Sequence, residues 1–321
     1  MRALFFGTPA IAVPALNALH ALADIAGVVC QPDRPKGRGL SAQPPPVKAR
    51  AIELGLAVRQ PDKIRAPDFA EWVLGLEADV ALVIAYGRIL PKAVLDGPRR
   101  GCLNLHASIL PSYRGAAPIP WAIVRGETET GISLMQMDEG MDTGPVFSAH
   151  RLPIGPRASA DELTDQLGQL AAQVVRLDLA RAVAGAIPAV PQDHTRATTA
   201  PRLVKEDGRI PWAKRALDVH NHVRGMTSWP GAFTGVNGKI LKVLVSQIAE
   251  DGSTRAPPGT VVSATRSGVL AACGTGVLAI VRGQIEGRKP LTAAELVAGR
   301  TLAEGMVLGS TSDIGATGSS T

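Results

Sequence analysis

Apolar and polar positions change period several times along the chain, and the changes mark its elements. Residues 2–6 (RALFF) form a short apolar run ended by Gly7, the pattern of a buried strand. Pro9 suits the first turn of a helix, and Leu16, Leu19 and Leu22 give that helix an apolar face. Residues 25–30 predict a second strand. Residues 31–46 (QPDRPKGRGLSAQPPP) have no periodicity and are too long for a plain connector, which marks a functional loop. Residues 47–54 and 67–76 predict helices, and VALVIA at 80–85 predicts a strand covered on both faces. A strand at 101–106, a helix at 118–124 and strands at 131–137 and 146–152 follow. Ser159 opens a helix running to about residue 183, with Asp161 and Glu162 in its first turn.

Strands alternating with helices imply an α/β doubly wound sheet with a mostly parallel core. The pattern then changes. Residues 186–208 are mostly polar, contain Pro188, Pro191 and Pro201, and read as a linker. Beyond Arg209 one helix (213–224) precedes short β-type runs at 232–236, 239–245, 259–264, 268–272 and 277–284, which predict a small β-barrel. The expected division is 1–188 for the α/β domain, 189–208 for the linker, 209–308 for the barrel and 309–321 for a disordered tail.

Composition agrees with two ordinary globular domains: 321 residues, 45% hydrophobic and 19% charged. Aromatic residues at 3% make a base-stacking platform sparse. Cys30, Cys102 and Cys273 are distant and odd in number, which argues against a disulfide framework or a zinc site and for a reducing cytoplasm. The N-terminus mimics a secretory signal, but Gly7-Thr8-Pro9, Pro14 and Asn17 interrupt its apolar run. No apolar stretch reaches spanning length, so no membrane association is expected. The net charge of +6 is unevenly spread: residues 1–195 carry 19 residues of each sign, whereas residues 196–321 carry 15 basic and 9 acidic ones. That excess suits either phosphate neutralisation or a solvated basic face, and charge alone does not separate the two.

The densest candidate chemistry lies in residues 101–120 (GCLNLHASILPSYRGAAPIP). Strand period sets Asn104 and His106 on one face and Leu103 and Leu105 on the other, at the carboxyl end of a strand where α/β sheets bind ligands. The plainer alternative is a structural hydrogen-bonding pair. Residues 135–144 (MQMDEGMDTG), which hold Asp138, Glu139 and Asp142, read as a solvated turn, which Asp and Gly favour for their own reasons, or as a loop bringing a carboxylate against His106. A carboxamide, an imidazole and a carboxylate suit acyl or formyl transfer to an amine. Asn104 and His106 offer N–H donors to the carbonyl oxygen, and Asp142 steadies the imidazole and handles the proton leaving the amine. Cys102 reads as packing rather than a nucleophile. No dinucleotide fingerprint or Walker loop is present, and His20, His150, His194, His220 and His222 form no metal-ligand pattern.

These residues resemble the folate-dependent formyltransferase family, and its bacterial methionyl-tRNA formyltransferases in particular. The likeness runs through Phe6-Gly7-Thr8-Pro9, Gln31-Pro32-Asp33-Arg34-Pro35, Gly37-Arg38-Gly39, Ala85-Tyr86-Gly87 and Ile89-Leu90-Pro91. It continues through the Asn104–His106 segment, Arg114-Gly115-Ala116-Ala117-Pro118-Ile119, Met135-Gln136-Met137-Asp138, Asp142-Thr143-Gly144 and Trp229-Pro230. The resemblance implies a Rossmann-like formyltransferase domain followed by an OB-like tRNA-binding domain. It implies formyl transfer from 10-formyltetrahydrofolate, as co-substrate and without a metal, to methionyl-initiator tRNA by a cytoplasmic monomer. It makes Asn104, His106 and Asp142 catalytic. It places folate at Ser108, Ile109, Leu110 and Pro111 and along the backbone of Tyr86, Gly87, Ile89 and Leu90. It directs Lys36 and Arg38 of the 31–46 loop to the tRNA acceptor end, with Arg202, Lys205, Arg209, Lys214 and Lys242 as phosphate partners chosen by charge and position. Ser112-Tyr113 and Pro120 depart from the family pattern. The alternatives are a glycinamide ribonucleotide or sugar-nucleotide formyltransferase, and an RNA-binding protein on a retired enzyme scaffold.

Overall fold

A computed structural model describes residues 1–35, 42–249 and 254–309. Strands β1 (Arg2–Gly7) and β2 (Asp24–Val29) are followed by two two-residue strands, β3 (Arg34–Pro35) and β4 (Ala42–Gln43), which pair with each other. Next come β5 (Val58–Arg59), β6 (Val80–Ile84), β7 (Cys102–His106), β8 (Glu129–Gln136) and β9 (Val146–Pro153). The main sheet has the order β5-β2-β1-β6-β7-β8-β9. It is parallel from β5 to β7 and antiparallel across β7-β8-β9.

Helices α1 (Val13–His20), α2 (Pro46–Glu53), α3 (Pro67–Gly75), α4 (Lys92–Leu95), α5 (Pro118–Val124), α6 (Ala160–Val174) and α7 (Ala180–Val183) connect these strands. Prolines stand in the first turn of α1, α2 and α3, where a missing N–H costs nothing and φ is already helical. The single helix expected from 159 to 183 is interrupted by a π-type turn at Val175–Leu179. That turn brings Asp178 to His150, whose Nε2 lies 2.6 Å from Asp178 Oδ2. The expected strand at 80–85 is buried at each of its five paired residues. Around it Leu4, Phe6, Phe69, Val83, Tyr86 and Cys102 share one core cluster. Of the elements above, β3, β4, β5 and α4 escape the sequence pattern, because two to four residues are too few to show a period.

The chain divides into two compact units. The first comprises Met1–Pro118, Glu129–Pro153 and Glu162–Pro201; the second comprises Ile119–Thr128, Ile154–Asp161 and Arg202–Thr321. Residues 189–201, read above as linker, belong to the first unit. Within the second unit α8 (Ala216–Gly225) precedes β10 (Phe233–Val236), β11 (Lys239–Ile248), β12 (Val261–Thr265), β13 (Gly268–Ala272), β14 (Val277–Ile285), β15 (Leu291–Thr292) and α9 (Ala293–Ala298). The strands pair antiparallel in the order β10-β11-β14-β13-β12, with β15 against β14. Thr292 caps α9 by accepting from the Glu295 amide, while Glu295 accepts from the Thr292 amide in return. Of the tail expected to be disordered, residues 310–321 lie outside the described residues. No helix among the described residues is long and apolar enough to cross a membrane.

His220 and His222 both end buried on α8. His220 Nδ1 meets Ser246 Oγ of β11 at 3.0 Å. Burial lowers the pKa of both rings. Arg224 adds to this at His220, and a backbone bond to Gly208 opposes it at His222. A histidine whose folded pKa is depressed contributes stability that is complete above its unfolded value, near pH 6.5, and is lost as pH falls below it. The thermal unfolding midpoint is therefore expected to fall between about pH 6.5 and 5, and the fall should be shallower in His220→Gln and His222→Gln. Cys102 is 1% exposed, and burial pushes its thiol up to about 12. Cys102→Ala is expected to lower stability by about 1 kcal/mol in chemical denaturation, the loss of one packed sulfur.

Candidate active site

Strand β7 stands at the junction of the parallel and antiparallel halves of its sheet. Val83 of β6 is the register partner of Asn104 on one side, and Met135 of β8 on the other. His106 pairs with Ser133. Leu103 and Leu105 are buried, so the apolar face of the alternation is anchored, and Asn104 and His106 project together. Both reach one carboxylate. Asn104 Nδ2 lies 3.5 Å from Asp142 Oδ1, and His106 Nδ1 lies 3.5 Å from Asp142 Oδ2. Residues 135–144 thus bring the Asp142 carboxylate beside Asn104 and His106.

The contacts differ in strength. Gly115 N–H donates to Asp142 Oδ2 at 2.8 Å, a charge-assisted bond of full strength. The two 3.5 Å contacts are longer than the roughly 2.7–2.9 Å of tight charge-assisted bonds. The carboxylate is therefore held by the backbone amide and remains open toward the two side chains. His106 Nε2 lies 2.9 Å from Tyr113 O. A carbonyl only accepts, so Nε2 carries a hydrogen and Nδ1 is the nitrogen that faces Asp142. Tyr113 and Asp142 adopt φ of 60° and 54°, in the left-handed region that non-glycine residues avoid. Such strain is held only where neighbours over-determine it, and here it aims one carbonyl and one carboxylate at the same ring.

The segment 108–111 is pinned from below. Ser133 Oγ donates to Ser108 O at 2.7 Å and accepts from Leu110 N at 3.1 Å. Ser108 Oγ donates to Ser112 O at 2.6 Å. Ser133 escaped the sequence reading because it sits in an apolar strand run and has no motif of its own. Gln192 escaped it as well, lying in a stretch read as linker. Its side-chain amide donates to Asp142 O and Gly144 O at 2.9 and 2.7 Å.

Residues 86–90 alternate between core and surface. The Tyr86 ring packs edge-on against Phe6 at 5.3 Å, and burial raises its hydroxyl to about 12. Its carbonyl accepts from Thr8 Oγ1 and Gln31 Nε2 at 3.1 and 3.2 Å. Tyr86 and Leu90 are core residues, whereas Gly87 and Ile89 are exposed. Asp33 of the Gln-Pro-Asp-Arg-Pro segment is ion-paired to Lys48 at 2.7 Å, and the hydrogen bond from Lys48 holds its carboxyl below the usual range. Lys36 and Arg38 lie outside the described residues. Arg202, Lys205, Arg209, Lys214 and Lys242 are all exposed in the second unit. The Arg209 guanidinium sits 5.8 Å from the centroid of the Phe233 ring.

Comparison with known proteins gives this geometry a family. Residues 1–177 match the family described as Formyl transferase, and residues 202–301 match Formyl transferase, C-terminal domain. A methionyl-tRNA formyltransferase of Sorangium cellulosum is 68% identical over 310 residues, covering 96% of this chain and 100% of the relative. One from Myxococcus xanthus is 45% identical over 304 residues, 95% of this chain and 96% of the relative. Among solved structures, an N-formyltransferase of Helicobacter canadensis, in complex with folinic acid and dTDP-3-aminofucose, superposes with TM-score 0.68 at 16% identity. It covers 87% of this chain and 98% of its own. The methionyl-tRNA formyltransferase of Clostridium thermocellum gives 0.55 at 16% identity, over 78% and 95% of the two chains. At these identities the structural likeness concerns the fold, while the sequence matches carry the kinship: the chain belongs to the formyl transferase family.

Proposed function

We propose that the protein transfers the formyl group of 10-formyltetrahydrofolate to the free amino group of methionyl-initiator tRNA, giving N-formylmethionyl-tRNA. The observation that carries this reading is one carboxylate, Asp142, set 3.5 Å from both Asn104 Nδ2 and His106 Nδ1. The relatives named methionyl-tRNA formyltransferase supply the acceptor, and the basic excess of residues 196–321 suits an RNA substrate. When bound, the folate supplies an activated one-carbon carbonyl. The pinned loop 108–111, next to His106, and the exposed Gly87 and Ile89 fit such a flat, partly apolar co-substrate.

Each residue then has a task that its geometry suits. The amine must attack unprotonated, and Asp142 is the base placed to take its proton. Asn104 Nδ2–H is the donor for the formyl oxygen as it gains charge. With Nε2–H given to Tyr113 O, His106 meets the reaction through Nδ1, and a proton on that nitrogen can be shared with Asp142 or turned to the oxygen. No covalent enzyme intermediate is required, because the formyl carbon passes directly between nitrogens: the new C–N bond forms, the bond to the folate N10 breaks, and the proton taken from the amine goes to the departing N10. In the division of labour we propose, residues 1–188 perform the transfer and residues 209–308 hold the tRNA. The exposed Arg202, Lys205, Arg209, Lys214 and Lys242 are phosphate partners, together with Lys36 and Arg38. A cytoplasmic monomer is part of the same proposal.

The deciding assay supplies 10-formyltetrahydrofolate and compares methionyl-initiator tRNA, methionyl-elongator tRNA and amino-sugar nucleotides as acceptors. Formylation of the charged initiator above all others is expected; preference for a sugar nucleotide would overturn the reading. Asn104→Ala and Asp142→Ala should each lose on the order of 3 kcal/mol of transition-state stabilisation, roughly a hundredfold in kcat. Cys102→Ala should stay within about threefold of the native rate, since its sulfur is sequestered in the core.

A further inference from the structure

Asp142 occupies a left-handed backbone conformation, φ 54°, which Asp adopts more readily than most residues but which fixes the aim of its carboxylate only if the main chain is held. Its carboxylate is gripped by Gly115 N–H, but that bond does not constrain the peptide carbonyl behind it. Gln192 does. Both hydrogens of its side-chain amide are used on the loop, one to Asp142 O at 2.9 Å and one to Gly144 O at 2.7 Å. One carbonyl is that of the left-handed residue itself and the other lies two residues on, so a single NH2 group ties down the chain just after Asp142. The amide oxygen of Gln192 points the other way and accepts from Arg114 Nε and Nη2 at 3.1 and 2.7 Å. A guanidinium only donates, so Arg114 decides which end of the carboxamide faces the loop. Arg114 is itself fastened, with its amide on Thr198 O at 2.9 Å and its carbonyl accepting from Ala200 N at 2.7 Å. The residue after it, Gly115, supplies the amide that holds the carboxylate. Asp142 is thus clamped at its main chain and at its side chain by one connected piece, and Gln192, 9% exposed, is the link to the main chain.

We infer that Gln192 is a positioning residue for the transfer reaction, setting the Asp142 carboxylate against His106 and Asn104 through the Asp142 main chain, with Arg114 orienting its amide. The inference rests on the reading of Asp142 as the proton acceptor in formyl transfer. It explains why a Gln is needed. Glu has the same length and would keep, even strengthen, the contact with Arg114, but it would set acceptor oxygens against two carbonyls. Gln192→Glu therefore separates the grip on the loop from the anchorage of the 189–201 segment. Gln192→Met removes both without adding charge.

The test measures kcat and KM for the folate and for methionyl-initiator tRNA in native, Gln192→Glu and Gln192→Met proteins, each also in an Asp142→Asn background. The expected result is a loss of about tenfold or more in kcat with both KM values within about twofold, the sign of a misplaced group rather than a lost binding contact. In the Asp142→Asn background the same changes should cost less than about twofold, because the group being positioned is already disabled. A native kcat in both Gln192 variants overturns the inference, and so does an equal loss in both backgrounds. If Gln192→Glu does not fold, Gln192→Met gives the same readout. If the native protein formylates no methionyl-tRNA, the functional reading fails separately, and the His106 ring signal in NMR decides the positioning. Displacement of that signal by Gln192→Glu, as by Asp142→Asn, supports the inference; an unmoved signal overturns it.

Discussion

The hydrogen bond from Gly115 N–H to Asp142 Oδ2, 2.8 Å long, is the constraint on which the site depends. A carboxylate on a left-handed loop would otherwise turn to water, where its desolvation is least. Holding it against β7 requires two backbones to approach closely. A Cβ at Gly115, whose φ is 119°, would meet Ala200 O at 2.7 Å, and one at Gly144 would meet Gln136 O at 2.0 Å. Neither contact is tolerable, so these two glycines are the condition for the loop to lie where it does. The Arg114-Gly115 and Asp142-Thr143-Gly144 segments are thus two sides of one packing requirement.

The second condition is the change of direction at β7. A parallel sheet presents strand ends in one row, and ligands gather outside the carboxyl ends. Adding β8 antiparallel to β7 brings Ser133 opposite His106, and its hydroxyl then ties down the segment that follows His106. A second parallel strand at that place would need a crossover connection and would not deliver a hydroxyl to that point. The turn after β7 is consequently rigid. Tyr113 closes it by giving its carbonyl to His106 Nε2, which leaves Nδ1 for Asp142.

This explains what the residue pattern disclosed and what it hid. Strand alternation put Asn104 and His106 on one face because a period of two survives in five residues, and the uninterrupted VALVIA run showed its burial directly. The meeting of Asp142 with His106 was only partly legible, since Asp and Gly in a loop suit a solvated turn as well as they suit a partner for an imidazole. Ser133 and Gln192 were not legible. Each acts through a main-chain carbonyl or amide, and any residue can present those, so no side-chain pairing betrays them. The Tyr86 ring is a core group, since a phenol ring beside Phe6 gains more from burial than from solvent. The break at Val175–Leu179 was hidden because a π-type turn needs no proline or glycine.

The separation of charge follows from the same physics. The proposed reaction joins a neutral amine and a neutral carbonyl, and only transient charge develops in it. Short buried bonds from fixed dipoles serve that purpose, and a strong net field would favour the protonated, unreactive amine or compete with Asn104 for the oxygen. A polyanionic acceptor calls for the opposite arrangement, exposed cations whose attraction reaches across water and weakens with salt. A chain with 19 charges of each sign up to residue 195 and an excess of six cations beyond it meets both demands without compromise. Arg202, Lys205, Arg209, Lys214 and Lys242 are exposed in the second unit, the arrangement that the proposed transfer to a polyanionic acceptor calls for.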